Sequence, residues 1–164
     1  MHSGAVEIRA GTPEDDAYVR RSLVAAFGAT EVACHDELID AAALPGAVAW
    51  QDGEPVGLLT HRADPDGGWE IVSLAADRPG LGAGGALIGW CRAAAERAGA
   101  PRLWLVTTND NTHALRFYQR QGFDLVRLNR GAADRARELK PGIPAEHDGI
   151  PLRHELELEI RLAR

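Results

Sequence analysis

Cysteine is scarce in this 164-residue chain. The two present, Cys34 and Cys91, are too few for a disulfide framework and lack the paired spacing of a zinc site. No segment approaches 18 consecutive apolar residues, and Met1-His2-Ser3-Gly4 shows no signal-peptide pattern, so the chain is expected to be cytoplasmic, with no membrane partner. Positive charge is in deficit: 18 Lys and Arg against 24 Asp and Glu leave a formal net charge of −6, which argues against a nucleic-acid partner. No H-E-x-x-H occurs either. His35-Asp36-Glu37 and Glu146-His147-Asp148 carry metal-capable side chains without companion ligands; they read as solvated loop residues, and no metal is assigned.

Glycine, by contrast, is abundant, and its placement is informative. Trp69 to Ala76 has the composition of a strand, Gly80-Leu81-Gly82-Ala83-Gly84-Gly85 follows, and Leu87, Ile88, Cys91, Ala94 and Ala95 then recur with helical spacing. A strand that ends in glycines and opens a helix is an anion cradle. The first N–H groups of the helix have no intrahelical partner, the dipole adds positive charge, and glycine admits a phosphate to the main chain. The run satisfies G-x-G-x-x-G, with Asp110 placed as a ribose-binding acid would be, so a dinucleotide site is one reading. The looser G-x-G-x-G of a coenzyme A pyrophosphate loop is the other.

The surroundings favour the second reading. Ala47 to Trp50 and Pro55 to Thr60, joined through Asp52-Gly53, form an antiparallel hairpin signal upstream of the loop, where a Rossmann unit would have its first parallel strand. Downstream, the apolar strand Leu103 to Thr108 leads to Asn111, a plausible helix N-cap. Asn111, Ala114, Leu115 and Tyr118 share one helical face, and Gly122 closes the helix before Phe123 starts the next strand.

These two motifs resemble those of the GNAT superfamily of acetyl-CoA-dependent N-acetyltransferases. The glycine loop is similar to its pyrophosphate loop, Asn111-x-x-Ala114-x-x-Phe117-Tyr118-x-x-x-Gly122-Phe123 to its second motif, and Glu70-Ile71-Val72 to the strand that often carries its general base. Together they cover residues 69–123. One departure is Pro79, which stands where Gln or Arg is usual and removes a backbone donor; Arg78 precedes it. The resemblance implies a single α/β domain over residues 1–164: a mixed, mostly antiparallel, splayed sheet of about seven strands flanked by about four helices. It implies acetyl-CoA as co-substrate, held by Leu74, Ala76, Gly80, Leu81, Gly82, Ala83, Gly84, Gly85 and Asn111. It also implies Glu70 as general base acting through water, Tyr118 as general acid toward the leaving thiolate, and a small-molecule or peptide amine as acceptor. A non-catalytic acetyl-CoA sensor is the alternative.

Each role has a plainer rival. Period-two alternation sets Glu70, Val72, Leu74 and Ala76 on one face of their strand, and a carboxylate among apolar neighbours is either a tuned base or the partner of an arginine such as Arg102 or Arg116. Tyr118 is either an acid or an aromatic core anchor. His113 starts the same helix and is read as exposed, and Cys91 as core. At the ends of the chain, Val6 to Arg9 is a first strand, Thr12-Pro13 opens a helix that runs on through Tyr18 to Phe27, and a short helix is expected near Glu37 to Ala43. Ile150 to Leu162 alternates leucines and isoleucine against acids as a half-buried last strand. The long polar excursion from Arg130 to Asp148 is expected to border the acceptor site or to serve as a contact in a possible homodimer.

Overall fold

The computed structural model describes residues 4–163. Strand β1 (Glu7–Ala10) leads to a 3-10 turn at Pro13–Asp15, whose entry is fixed by the Asp15 carboxylate accepting from the Thr12 N–H at 2.8 Å. Helix α1 (Asp16–Phe27) follows and ends at Gly28 with φ +80.

A hairpin, β2 (Glu31–Cys34) and β3 (Glu37–Asp40), stands where a helix near Glu37 to Ala43 was expected, and only Ala41–Ala43 is helical, as a 3-10 turn. His35 and Asp36 form the two-residue loop with φ of +54 and +60, as a type I′ turn requires, though neither is the glycine that normally announces one.

Strands β4 (Gly46–Gln51) and β5 (Glu54–Ala63) form the expected hairpin around Asp52-Gly53. Then come β6 (Trp69–Ala76), α2 (Ala83–Arg97), β7 (Arg102–Thr108), α3 (Thr112–Arg120) and β8 (Asp124–Asn129). The excursion after Arg130 is not simply a loop: it contains α4 (Ala132–Leu139) and a small hairpin of β9 (Glu146–His147) and β10 (Ile150–Pro151). Ala132, Ala133 and Ala136 form its buried stripe, too small a set of apolar groups to stand out among the charges around it. Arg137 ties the excursion together by donating to the carbonyls of Ile143, Pro144 and Leu152. Strand β11 (Glu155–Arg161) is therefore shorter than the single strand expected from Ile150 to Leu162.

Seven strands make the main sheet in the order β1-β4-β5-β6-β7-β11-β8, mostly antiparallel, and four helices flank it among the described residues. One face carries α2 and α3 over a core that includes Leu59, Leu87, Leu103 and Leu158; the other carries α1 over Val48 and Leu58. Each fully buried leucine contributes about 1.5–3 kcal/mol. No helix among the described residues is long and apolar enough to cross a membrane.

Strand β6 departs from strict alternation. Its pairing with β5 steps from Thr60↔Ser73 to His61↔Ile71, leaving Val72 as an extra residue. Trp69, Ile71 and Leu74 consequently pack on the α2 side while Val72 and Ala75 pack on the α1 side. The bulge corrects the expectation that Glu70, Val72, Leu74 and Ala76 share one face: Glu70 and Val72 do, and Leu74 lies on the other.

Candidate active site

Strand β6 meets β7 in the parallel pairs Trp69↔Leu103 and Glu70↔Trp104, after which the two strands diverge. A cavity of about 650 Å³ opens in the fork. Backbone groups of β6 that face β7 beyond Glu70 have no strand partner, so they are free to bond an amide-bearing ligand. Of the residues singled out from sequence, Leu74, Ala76, Gly80, Gly82, Ala83, Gly84, Gly85, Asn111 and Tyr118 line this cavity. Leu81 instead packs against the core, and Glu70 sits at the fork rather than on the wall.

The glycines are placed for close approach of a ligand. Gly80 and Gly82 have φ of +83 and +76, and a Cβ built on either would meet nothing within 4 Å. Gly82 is the N-cap of α2 and has no capping side chain. The first helical bond runs from Ala86 N–H to the Gly82 carbonyl at 3.0 Å, so the N–H groups of Ala83, Gly84 and Gly85 have no helical partner. Gly84 serves packing instead, since its Cβ would come within 3.1 Å of Phe117 Cζ. Pro79 lines the cavity without an N–H to offer, with Arg78 beside it. This cradle fits a pyrophosphate.

Across the cavity, Asn111 caps α3 by accepting from the Ala114 N–H at 3.1 Å. Tyr118 lies between the edges of Phe117 and Phe123, at 5.3 and 5.7 Å between ring centroids. Burial pushes its pKa up to about 12, so it remains a protonated donor at neutral pH.

Glu70 is 1% exposed. Its partners are neither Arg102 nor Arg116: His35 Nε2 lies 2.7 Å from Oε1, and Arg62 Nε lies 3.4 Å from Oε2. Arg62 also holds Glu37 at 2.8 Å, while Arg102 is engaged by Glu157 and Glu159 at 3.0 and 3.2 Å. His35 was read as a solvated loop residue, yet the type I′ turn carries it onto Glu70. Recognising residues 31–40 as a hairpin would have placed His35 at its tip. The Cys34 sulfur and the Glu70 carboxylate raise its pKa against the cost of desolvation, and Cys34 itself stays a thiol because burial pushes it up. Ligand atoms of Cys34, His35 and Glu70 lie within 4.8 Å of one another. The 2.7 Å contact is a hydrogen bond, too short for an ion bound at about 2 Å from each of those two atoms at a tetrahedral angle.

A forked sheet with an uncapped glycine-rich helix start on one wall, Tyr118 on the other and a buried carboxylate at the apex is the arrangement expected of an acyltransferase of the coenzyme A type. The chain belongs to the Acetyltransferase (GNAT) family, whose model matches residues 17–123; acetyl-CoA is the family's acetyl donor. The protein YxbD of Bacillus subtilis (strain 168) is 42% identical over 65% of this chain and 67% of its own. Among solved structures, an IAA acetyltransferase from Bacillus cereus ATCC 14579 superposes with a TM-score of 0.73 at 20% identity, covering 96% of this chain and 100% of that one. A Bacillus subtilis acetyltransferase in complex with CoA gives 0.69 at 18% identity, over 97% and 99%.

Proposed function

We propose that this protein is an N-acetyltransferase that moves an acetyl group from acetyl-CoA to a primary amine by direct attack in a ternary complex. The supporting observation is the fork: the cradle, the unpaired edge of β6 and Tyr118 line one cavity, and the His35–Glu70 pair stands at its apex. Bound acetyl-CoA supplies a thioester. The N–H groups at the start of α2 hold its pyrophosphate, and Leu74 and Ala76, beyond the fork, offer their main chain to its amide arm.

The acceptor enters as an ammonium and must lose a proton before it attacks. Glu70 is too buried to take that proton directly, and His35, whose side chain is 26% exposed, reaches solvent for the pair. Glu70 therefore orients His35 and sets its proton affinity, and the proton passes through water to the imidazole. The amine lone pair forms the C–N bond, the C–S bond breaks while the Tyr118 hydroxyl donates a hydrogen bond to the departing thiolate, and the new amide nitrogen gives its excess proton to water as water protonates the thiolate. Because a thiol is the stronger acid, Tyr118 contributes mainly a hydrogen bond.

Calorimetric titration with acetyl-CoA, with NAD as control, followed by thiol release against a panel of amines, tests this reading. Acetyl-CoA binding with amine-dependent release is expected. Binding without release to any amine would leave a sensor, and NAD binding would overturn the assignment of the loop.

A further inference from the structure

Glu155 starts β11 opposite Thr108 of β7. Regular pairing along β7 and β11 puts it on the same face as Glu159 and Trp104, and Trp104 is the register partner of Glu70. Glu155 and Glu70 thus share a face, and Val106, on that same face of β7, lines the cavity. Glu155 is 4% exposed and its Oε2 has no hydrogen-bond partner. The charged groups acting on it are His35, Asp36, Arg135 and Glu70. Both cations among these are already engaged: His35 bonds Glu70 at 2.7 Å, and Arg135 bonds Asp36 at 2.8 Å. A second buried oxygen, Asp110 Oδ1, is also unpartnered, two residues beyond Thr108. Asp110 Oδ2 lies 3.5 Å from His147 Nδ1.

A buried carboxylate without a cation is costly when ionised, and evolution of a mere core position would favour a neutral residue. Glu155 is such a carboxylate, on the face of the sheet that carries Glu70 and within the charge field of His35 and Glu70, whereas Asp110 already faces His147. We propose that the acceptor carries a second positive charge, and that Glu155 holds this charge while the reacting nitrogen faces the His35–Glu70 pair. The substrate class is then a diamine or a larger polycationic amine rather than a simple monoamine. This inference rests on the acetyl-acceptor reading of the cleft.

The test uses the full chain saturated with CoA, so that binding is read without turnover. Calorimetry compares 1,6-diaminohexane with 6-amino-1-hexanol, which keeps one ammonium and replaces the other with a hydroxyl. The diamine is expected to bind at least about tenfold tighter, the worth of one ion pair of about 1.4 kcal/mol, and Glu155→Gln is expected to remove most of that preference. Equal binding of the two amines, no binding of either, or a preference that survives Glu155→Gln would overturn the proposal. Melting in parallel guards against misfolding, and Glu155→Met, uncharged and of similar size, supplies a second variant if Glu155→Gln does not fold. The two readings fail separately: diamine binding without thiol release from acetyl-CoA would sink transfer alone, whereas release without diamine preference would sink only the second charge.

Discussion

Replacing Gly82 by alanine separates what the loop costs the fold from what it does for the ligand. The residue has φ +76, and an added Cβ meets nothing within 4 Å, so the free protein suffers only the left-handed backbone penalty, about 1–2 kcal/mol. For a chain of this size that lowers the melting temperature by roughly 2–8 °C. In the complex the same methyl group occupies the space a pyrophosphate needs. Displacing even one charge-assisted hydrogen bond, worth about 1.5–3 kcal/mol, weakens acetyl-CoA by about 10- to 150-fold. Valine at this position should abolish binding. Calorimetry at a temperature well below the transition measures the affinity, and a thermal melt measures the strain. If Gly82→Ala melts lower as expected and still binds acetyl-CoA with wild-type affinity, the pyrophosphate does not rest on this turn.

Other substitutions probe the remaining parts. Tyr118→Phe should lower kcat by about 10- to 150-fold, the worth of one hydrogen bond to the departing thiolate of about 1.5–3 kcal/mol, and leave acetyl-CoA affinity unchanged; a parallel loss of binding would make Tyr118 an anchor. The rate should climb with pH through the raised pKa of His35, and Glu70→Gln, which removes the carboxylate that raises it, should move that limb to lower pH; an unmoved limb would exclude the pair. His35→Gln leaves Glu70 with Arg62 at 3.4 Å alone and should cost about 1.5–3 kcal/mol. Because the folded pKa of His35 is raised, this stability is fully present below its unfolded value of about 6.5 and is lost as pH rises through the folded one, as melts across pH would show. Glu155 works in the opposite direction: burial raises its pKa, so the folded state loses stability as pH rises above the unfolded carboxylate value. The melting temperature of Glu155→Gln should therefore gain on wild type as pH rises above the unfolded carboxylate value of about 4.3, and a difference that stays constant from below that value upward would contradict this.

The parts of this molecule that were legible in sequence are those with local rules. Gly80 and Gly82, the N-cap at Asn111 and the Asp52-Gly53 turn each carry a backbone requirement that few other residues meet, and each lies in the structure as read. His35 failed that test because its turn has the backbone of Asn-Gly without its residues. The side-chain direction of Leu74 failed because a single inserted residue, Val72, leaves no mark on composition. Glu155 looked like the polar half of an alternating strand; its burial depends on the turn at His35 and on α4, neither of which was legible. Long-range packing, rather than local propensity, decides these positions.

The bulge at Val72 has an evolutionary corollary. One residue reverses the parity of β6 along its length, so the strand turns Glu70 toward the α1 side at one end and Leu74 toward the α2 side at the other without crossing over. Each end can then be altered by substitution alone. A deletion at Val72 would swing Glu70 and its companions to the opposite face in one step, a loss that no nearby point change restores. Length, more than identity, is what this strand must preserve.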